Sequence, residues 1–400
     1  MRILLDCRPL INDRSELERI HIIISCVNLL TEKQGIEWLL LVDGAGREGL
    51  LPGIPAHELL IRAALPGNMG WRVWYDWQIP RIVRKYRPDL LMTTGGLVAP
   101  DVGVPQCVWM PGKADPAAWV QKKSYRKIYR KRLVGNLREA GTIFSFSEED
   151  KLFLEESLKK GRPAGGGSDG KRIVAGNVGK KIVVVEGGAD ARYAPLPLEE
   201  KETVKKEYAQ GKEYFLTIAE NARPGELVSL LKAFSGFKKR QQSNMQLVLI
   251  RMGAGRGIVF PDGRLDTYRY RQDVHVYDNF PEQEMPGLVA ASYAFVAPFR
   301  GEGLGLPVLN AWKAGVPVIT TVTGFPPGSA GDRVLYAQPD DPASLAGQLM
   351  LLYKDEGMRS ALIGKALSQA LPVGWEQAAI KVWNGIEAAV RDFPGSVIMP

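Results

Sequence analysis

The sequence predicts an α/β fold of two doubly wound, Rossmann-like domains. Apolar runs typical of buried parallel strands alternate with segments of helical periodicity along most of the 400 residues, a pattern typical of parallel sheets with helices on both faces. The alternation pauses at residues 189–212, where prolines precede a charged stretch, and then begins again. Ligands of such sheets bind beyond the carboxyl ends of the strands, so we expect the two domains to face a cleft.

The first domain, predicted at residues 1–188, begins with a strand and continues with alternating elements. Its strands are expected at 2–5, 38–44, 89–93, 106–110, 142–147 and 181–186. Its helices are expected at 16–33, 75–86, 119–138 and 147–160. The strand at 38–44 is typical of the set, because WLLLV is apolar throughout and Asp-Gly ends it. The Gly-rich residues 161–180 are predicted to form a surface loop.

An interdomain linker at 189–212 leads to a second domain at 213–374, and residues 375–400 follow as a carboxyl-terminal helix. The strands of the second domain are expected at 214–219, 245–250, 273–277, 293–298, 317–321 and 334–338. Its helices are expected at 225–241, 282–291, 305–314, 342–353 and 356–369. The chain thus repeats one architecture twice, which predicts a cleft between the two domains.

The composition argues against several classes of protein. Lys and Arg number 52 and Asp and Glu 44, so the net charge of +8 indicates anionic partners such as phosphates or nucleotides, and no nucleic-acid partner is expected. Three cysteines without a Cys-x-x-Cys spacing argue against a disulfide framework and a zinc site. The start of the chain is too short for a signal peptide, and no apolar run approaches the ~20 residues that span a bilayer. We therefore expect a cytoplasmic protein, with a membrane surface as one place where it acts.

A Gly-rich turn between two buried strands is the strongest chemical signal in the sequence. Residues 293–320 read YAFVAPFRGEGLGLPVLNAWKAGVPVIT. Gly301, Gly303 and Gly305 allow a ligand to approach the backbone closely, and the helix that starts near Gly305 points free N–H groups and its positive dipole end at that ligand. This arrangement suits a diphosphate, although a tight strand-to-helix turn without a ligand also satisfies the pattern.

The whole stretch resembles the donor-site segment of glycosyltransferase family 4, the retaining nucleotide-sugar transferases with a GT-B fold. The resemblance extends to EGGADARYAPL at 186–196, to the segment from YFLTIA through MQLVLI, and to GWEQAA at 374–379. It implies a GT-B fold whose carboxyl-terminal helix crosses back to the first domain. It also implies transfer of a sugar from a nucleoside diphosphate sugar to a glycan or lipid-linked acceptor, with no metal ion and no cofactor in the site.

The resemblance assigns roles to particular residues. The catalytic pair would be Glu302, which orients the donor sugar, and Arg223, which neutralises the charge of the leaving diphosphate. The donor-binding residues would be Gly303, Leu304, Gly305, Asn310 and Arg251. Of these, Asn310 would meet the ribose and Arg251 would lie near the phosphates or block their site.

Several polar positions depart from the family pattern, so the resemblance implies a degenerate donor site in this chain. A glutamate of the family is here Asn310, whose amide lacks the charge of a carboxylate. The other departures are a missing basic pair at Pro224 and Gly225, carboxylates where glycines are usual at Glu16 and Glu18, and no histidine near Met110. Two functions therefore stay open: an active transferase, and a catalytically silent pseudo-glycosyltransferase that serves as an interaction or scaffold partner of another transferase in glycan assembly.

Two further groups of residues have both a structural and a functional interpretation. Residues 122–132 read KKSYRKIYRKR. As a helix they either contact an anionic membrane surface or an anionic glycan, or form a solvated face whose aromatic side packs inward. The first domain also holds an aromatic cluster, which either stacks on an acceptor sugar or starts a buried helix. Its members are Trp71, Trp74, Tyr75 and Trp77. For both groups the sequence favours the structural interpretation.

Overall fold

The structure is a computed structural model in which the chain divides into two compact units. It describes residues 1–6, 36–42, 56–60, 73–94, 96–110, 137, 139–160, 182–185, 188–219, 224–251, 267–278, 280–299, 305–325, 330–368 and 375–394. The first unit is Met1–Gly187 together with Trp375–Pro400, and the second is Gly188–Gly374. Each unit is built around its own parallel sheet.

Seven parallel strands form the described sheet of the first unit. They are β1 (Arg2–Asp6), β2 (Glu37–Val42), β3 (Ala56–Leu60), β4 (Leu90–Thr93), β5 (Gln106–Trp109), β6 (Thr142–Ser145) and β7 (Ile182–Val184). Their order in the sheet is β3-β2-β1-β4-β5-β6-β7, so the direction of strand addition reverses beside β1, as in a doubly wound sheet. All residues of β4 and β6 are buried, as expected for strands covered on both faces.

The helices of this sheet bury one apolar face each. A single π-helical turn at Trp74–Gln78 leads into α1 (Ile79–Tyr86), and α2 (Glu148–Lys160) follows β6. Ile79, Ile82 and Val83 of α1 are buried in the core cluster of the first unit. The helices predicted at 75–86 and 147–160 are thereby confirmed, whereas those at 16–33 and most of 119–138, like the loop at 161–180, lie outside the described residues.

Six parallel strands form the described sheet of the second unit. They are β8 (Tyr214–Ala219), β9 (Gln246–Arg251), β10 (Val274–Asp278), β11 (Ala294–Ala297), β12 (Val318–Thr321) and β13 (Val334–Ala337). The order is β10-β9-β8-β11-β12-β13. Every strand lies within or beside a predicted apolar run. The sheet therefore has the predicted doubly wound topology, with the reversal of strand order between β8 and β11.

Six helices accompany this sheet within the described residues. They are α3 (Leu198–Ala209), α4 (Pro224–Gln241), α5 (Met285–Ala290), α6 (Leu306–Lys313), α7 (Pro342–Lys354) and α8 (Glu356–Ser368). The start of α7 shows why the sequence begins a helix there: the Asp341 side chain accepts hydrogen bonds from the backbone N–H groups of Ala343 and Ser344, which stabilises the first turn.

The residues predicted as an interdomain linker belong to the second unit instead. The segment 189–212 contains α3, and its Tyr193, Lys205 and Ala209 are buried. The buried Lys205 Nζ forms ion pairs with Glu202 at 2.9 Å and Glu213 at 2.5 Å. The linker prediction needs this correction because prolines and a high charge are typical of linkers, whereas the charged face of α3 covers an apolar face that packs onto the second sheet.

The last helix of the chain returns to the first unit, as predicted. Helix α9 (Trp375–Arg391) packs against strands β5, β6 and β7. The Thr142 Oγ1 donates a 2.6 Å hydrogen bond to the Gly385 carbonyl, and a Cβ at Gly385 would lie 2.6 Å from the Phe144 ring. This close approach needs a residue without a side chain. Among the described residues, no helix is long and apolar enough to cross a membrane.

Candidate functional site

Two of the residues that the sequence singles out, Arg251 and Gly305, lie at the carboxyl edge of the second sheet. The strand order reverses between β8 and β11, and in open parallel sheets ligands bind at such a reversal, beyond the carboxyl ends of the strands. Helix α6 begins at Leu306, shortly after β11 ends at Ala297. Gly305, the described end of the Gly-rich turn predicted to hold a diphosphate, therefore lies beside the reversal point.

Gly305 has a backbone conformation that few other residues adopt. Its φ is 63° and it is the N-cap of α6. The N–H groups of Val308 and Leu309 both donate to the Gly305 carbonyl, while Pro307 has no N–H group. The helix start therefore presents the Leu306 amide and the positive end of the helix dipole toward the turn.

The loop after β12 packs directly against this turn. A Cβ at Gly305 would lie 2.3 Å from Cδ2 of Phe325, and a Cβ at Gly324 would lie 2.6 Å from the Phe299 carbonyl oxygen. Gly305 thus lies against the Phe325 ring, and Gly324 lies against the backbone that follows β11. We name Gly305, Gly324 and Phe325 the glycine clamp, because together they join the loops that follow β11 and β12.

Three side chains outside the glycine clamp support it, those of Trp312, Arg333 and Tyr336. The Phe325 ring meets the Trp312 ring edge-on, with centroids 5.5 Å apart. The Arg333 guanidinium lies 4.2 Å from the centroid of Trp312, and burial lowers the pKa of Arg333. The Tyr336 hydroxyl donates to the Phe325 carbonyl at 3.2 Å. The conformation of Gly305 is therefore fixed by packing as well as by its own φ.

Asn310 already has partners within the second unit. Its Oδ1 accepts a 2.9 Å hydrogen bond from the Asp190 backbone N–H, and its side chain hydrogen-bonds Tyr193, whose pKa burial raises to about 12. Asp190 in turn pairs with Arg192 at 2.6 Å. The side chain predicted to meet a ribose thus holds the segment before α3 against α6.

Arg251 lies at the end of β9 and pairs with the neighbouring strand. Its Nε and Nη2 donate to the two carboxylate oxygens of Asp278 at 2.6 and 2.5 Å. Ala219 of β8 is opposite Arg251 in the strand register, as Asp278 of β10 is. This bidentate geometry orients the guanidinium at the carboxyl edge of the sheet and offsets its charge locally.

The remaining predicted site residues lie outside the part of the chain that the structure describes. They are Arg223, Glu302, Gly303 and Leu304. The basic segment 122–132 and the carboxylates Glu16 and Glu18 are outside it as well. Among the described residues, no group of three or more His, Cys, Asp or Glu side chains is arranged to hold a metal ion.

The structure of the first unit decides between the two interpretations of the aromatic cluster for Trp74 and Tyr75. Trp74 and Tyr75 are each 1% exposed, and the Trp74 indole donates a 3.0 Å hydrogen bond to the buried Asp6. The structural interpretation is therefore confirmed for these two rings. Trp77 differs, with 62% of its surface exposed, and Trp71 lies outside the described residues.

Sequence reasoning missed two features of this region. The sequence does not indicate Phe325, because an apolar residue in a loop has no signal of its own. Asp278 likewise follows a predicted strand as many aspartates do. The Gly-Phe pair at 324–325, set just after a buried strand, is the signal that indicates a close backbone approach there.

Comparisons with known proteins relate part of the chain to one family and nearly the whole chain to one fold. Residues 199–369 match the family described as "Glycosyl transferases group 1". An O-antigen chain mannosyltransferase B of Escherichia coli is 33% identical over 104 residues, which are 26% of this chain and 27% of that protein. The chain thus matches about a quarter of the length of this curated relative.

Solved structures resemble the chain over nearly its whole length. The sucrose-phosphate synthase of Thermosynechococcus elongatus has a TM-score of 0.70 and 13% identity, covering 97% of this chain and 100% of its own. Anabaena HepE, solved in complex with UDP-glucose, has a TM-score of 0.69 and 12% identity with the same coverage. At these identities the likeness establishes the fold, which is the GT-B fold of two Rossmann-like units.

Proposed function

We propose that this chain transfers a sugar from a nucleoside diphosphate sugar to an acceptor hydroxyl. The proposal proceeds from the match of residues 199–369 to the glycosyl transferases group 1 family and from the GT-B fold. The reaction breaks the bond between the anomeric carbon and the diphosphate, so negative charge grows on the diphosphate. The site must neutralise that charge and orient the sugar.

The observation that carries the proposal is the turn at Gly305. It lies at the carboxyl edge of the second sheet, beside the reversal of strand order, and it starts helix α6. A helix start at this place supplies an amide N–H and a dipole to an anion. The glycine clamp holds Gly305 and the start of α6 in one conformation, so the donors of the helix start need no reorganisation when charge develops.

The other roles follow from the family resemblance. Glu302 would orient the donor sugar, with Gly303 and Leu304 contributing backbone donors to the diphosphate. Arg223 would supply positive charge, and Arg251 would supply a second guanidinium at the end of β9. Asn310 would contribute one hydrogen bond to the ribose in addition to its contacts with Asp190 and Tyr193.

The donor and acceptor are proposed only by class. Anabaena HepE was solved with UDP-glucose, and the Escherichia coli relative is described as an O-antigen chain mannosyltransferase. These two support a nucleotide sugar as donor and a glycan or lipid-linked glycan as acceptor. We also propose a second transferase of glycan assembly as a protein partner of this chain.

Calorimetric titration of the full chain with UDP-, GDP- and ADP-sugars tests the proposal, followed by an assay of sugar release and transfer. We expect one donor to bind, and Glu302→Gln to slow transfer by about 100-fold with a smaller change in affinity. Asn310→Ala should weaken donor binding by about tenfold. Its matched control is Asn244→Ala, an exposed asparagine at the opposite edge of the same sheet, which should leave donor binding unchanged.

A second candidate function is the silent pseudo-glycosyltransferase. It is favoured by a specific observation: the two described polar residues assigned to the donor, Asn310 and Arg251, each hold an intramolecular partner, Asp190 and Asp278. Millimolar donor that yields neither heat nor product would support this alternative. Tight donor binding that Glu302→Ala abolishes would contradict it.

A further inference from the structure

One face of α1 and the turn before it stays in solvent and is basic. Trp77 is exposed, and so are Arg81, Arg84 and Lys85. At helical spacing these positions fall on one side, because residues three and four apart are neighbours. The opposite side, with Ile79 and Ile82, is buried in the core of the first unit. We name the exposed side the Trp77 face.

The Trp77 face carries more positive than negative charge, because the carboxylate nearest in sequence, Asp76, is half-buried and has partners of its own. Within the described residues, no carboxylate forms an ion pair with Arg81, Arg84 or Lys85. The exposed carboxylate nearest in sequence, Asp89, accepts instead from the Arg2 backbone N–H at 2.7 Å. Arg87 adds a further exposed cation directly after the helix.

The exposed tryptophan distinguishes this face from an ordinary solvated helix. Trp77 is 62% exposed, whereas Trp74, one turn earlier, is 1% exposed. The Arg81 guanidinium lies 5.5 Å from the centroid of the Trp77 ring, so the cation and the indole are presented together. An indole with an apolar body and a polar N–H suits the boundary between water and lipid headgroups.

We propose that the Trp77 face binds the surface of an anionic lipid bilayer, with the guanidinium and ammonium groups on the headgroups and the indole inserted between them. This proposal does not depend on sugar transfer. The charge complementarity favours an anionic surface, since each basic residue near such a surface strengthens binding about fivefold. The indole suits a bilayer, because its apolar body can enter the layer beneath the headgroups while its N–H group stays among them.

Sedimentation of the full chain with vesicles tests the proposal. We expect binding to vesicles of phosphatidylglycerol mixed with an equal amount of phosphatidylcholine, and none to phosphatidylcholine alone. The triple variant Arg81→Gln, Arg84→Gln, Lys85→Gln should weaken binding about 100-fold. The matched control removes the same charge from helix α4 of the second unit, by Lys232→Gln, Lys239→Gln and Arg240→Gln, which are exposed and should leave binding within about twofold.

Tryptophan quenching by lipids brominated in their chains tests the role of the indole. Quenching of the full chain should appear on the mixed vesicles and fall when Trp77 is replaced, in Trp77→Phe. Equal losses of binding in the two triple variants would overturn the proposal, because net charge alone would then explain it. No binding to mixed vesicles, binding to RNA without binding to vesicles, or quenching unchanged by Trp77→Phe would overturn it as well.

Discussion

Replacing Gly305 by alanine should destabilise the second unit, and the size of the effect follows from the glycine clamp. A non-glycine residue at φ 63° costs about 1–2 kcal/mol. The new Cβ would lie 2.3 Å from the Phe325 ring, and forcing such a contact into a packed core costs about 1–3 kcal/mol. Gly305→Ala should therefore lower the free energy of unfolding by about 2–5 kcal/mol.

The second half of this prediction separates the contact from the backbone conformation. Phe325→Ala removes the ring that the new Cβ meets and should by itself cost about 3–5 kcal/mol. In the double variant only the backbone cost of Gly305→Ala remains. The stability lost by the double variant should therefore be about 1–3 kcal/mol smaller than the sum of the losses of the two single variants. Urea unfolding of the four proteins, followed by far-ultraviolet circular dichroism, measures this coupling.

A helical glycine without such contacts provides the control. Gly347 lies within α7, and a Cβ built on it would meet no atom within 4 Å. Gly347→Ala should therefore stabilise the chain by about 0.5–1 kcal/mol. Strictly additive losses for Gly305→Ala and Phe325→Ala, or a Gly305→Ala variant as stable as the control, would refute the argument that the ring fixes the turn.

Three further predictions concern single side chains. Arg251→Gln should cost less than about 1 kcal/mol of unfolding free energy, because the pair with Asp278 is partly exposed, yet lower the affinity for a nucleoside diphosphate about fivefold in calorimetry. Cys107, fully buried with a raised pKa, should react with maleimide at least ~100-fold more slowly in the native chain than in urea, as peptide mass spectrometry would measure. Burial lowers the pKa of His275, so its neutral form contributes stability at pH 7.5 that is lost as the pH falls below about 6.5. Urea unfolding measured above and below about pH 6.5 should therefore show a smaller acid-induced loss of stability in His275→Gln than in the unchanged chain.

The sequence predicts more of the fold than of the candidate site. Strands β2, β8 and β9 were predictable because parallel strands buried on both faces appear as continuous apolar runs. Strand β3 was missed because its sequence, AHELL, places His57 and Glu58 within a short run, which breaks the apolar signal. Helix α3 was placed in a linker because its charged exposed face dominates its composition.

The contacts of the site depend on tertiary proximity that no local pattern reports. The Gly-rich turn was found from its glycines, but Phe325 lies far along the chain and meets Gly305 only through the adjacency of β11 and β12. Pairing of Arg251 with Asp278 likewise requires the register of β9 and β10. An apolar loop residue and a strand-end aspartate are too common in sequences to indicate such roles.

Hydrogen exchange of the full chain, with and without a saturating nucleoside diphosphate sugar, tests the central claim most directly. If the turn that starts α6 holds the diphosphate, peptides covering 300–310 should exchange more slowly with the ligand, and the protection should disappear in Gly305→Ala when that variant is folded. Binding of the ligand with unchanged exchange in those peptides, or with protection confined to other segments, would contradict the account.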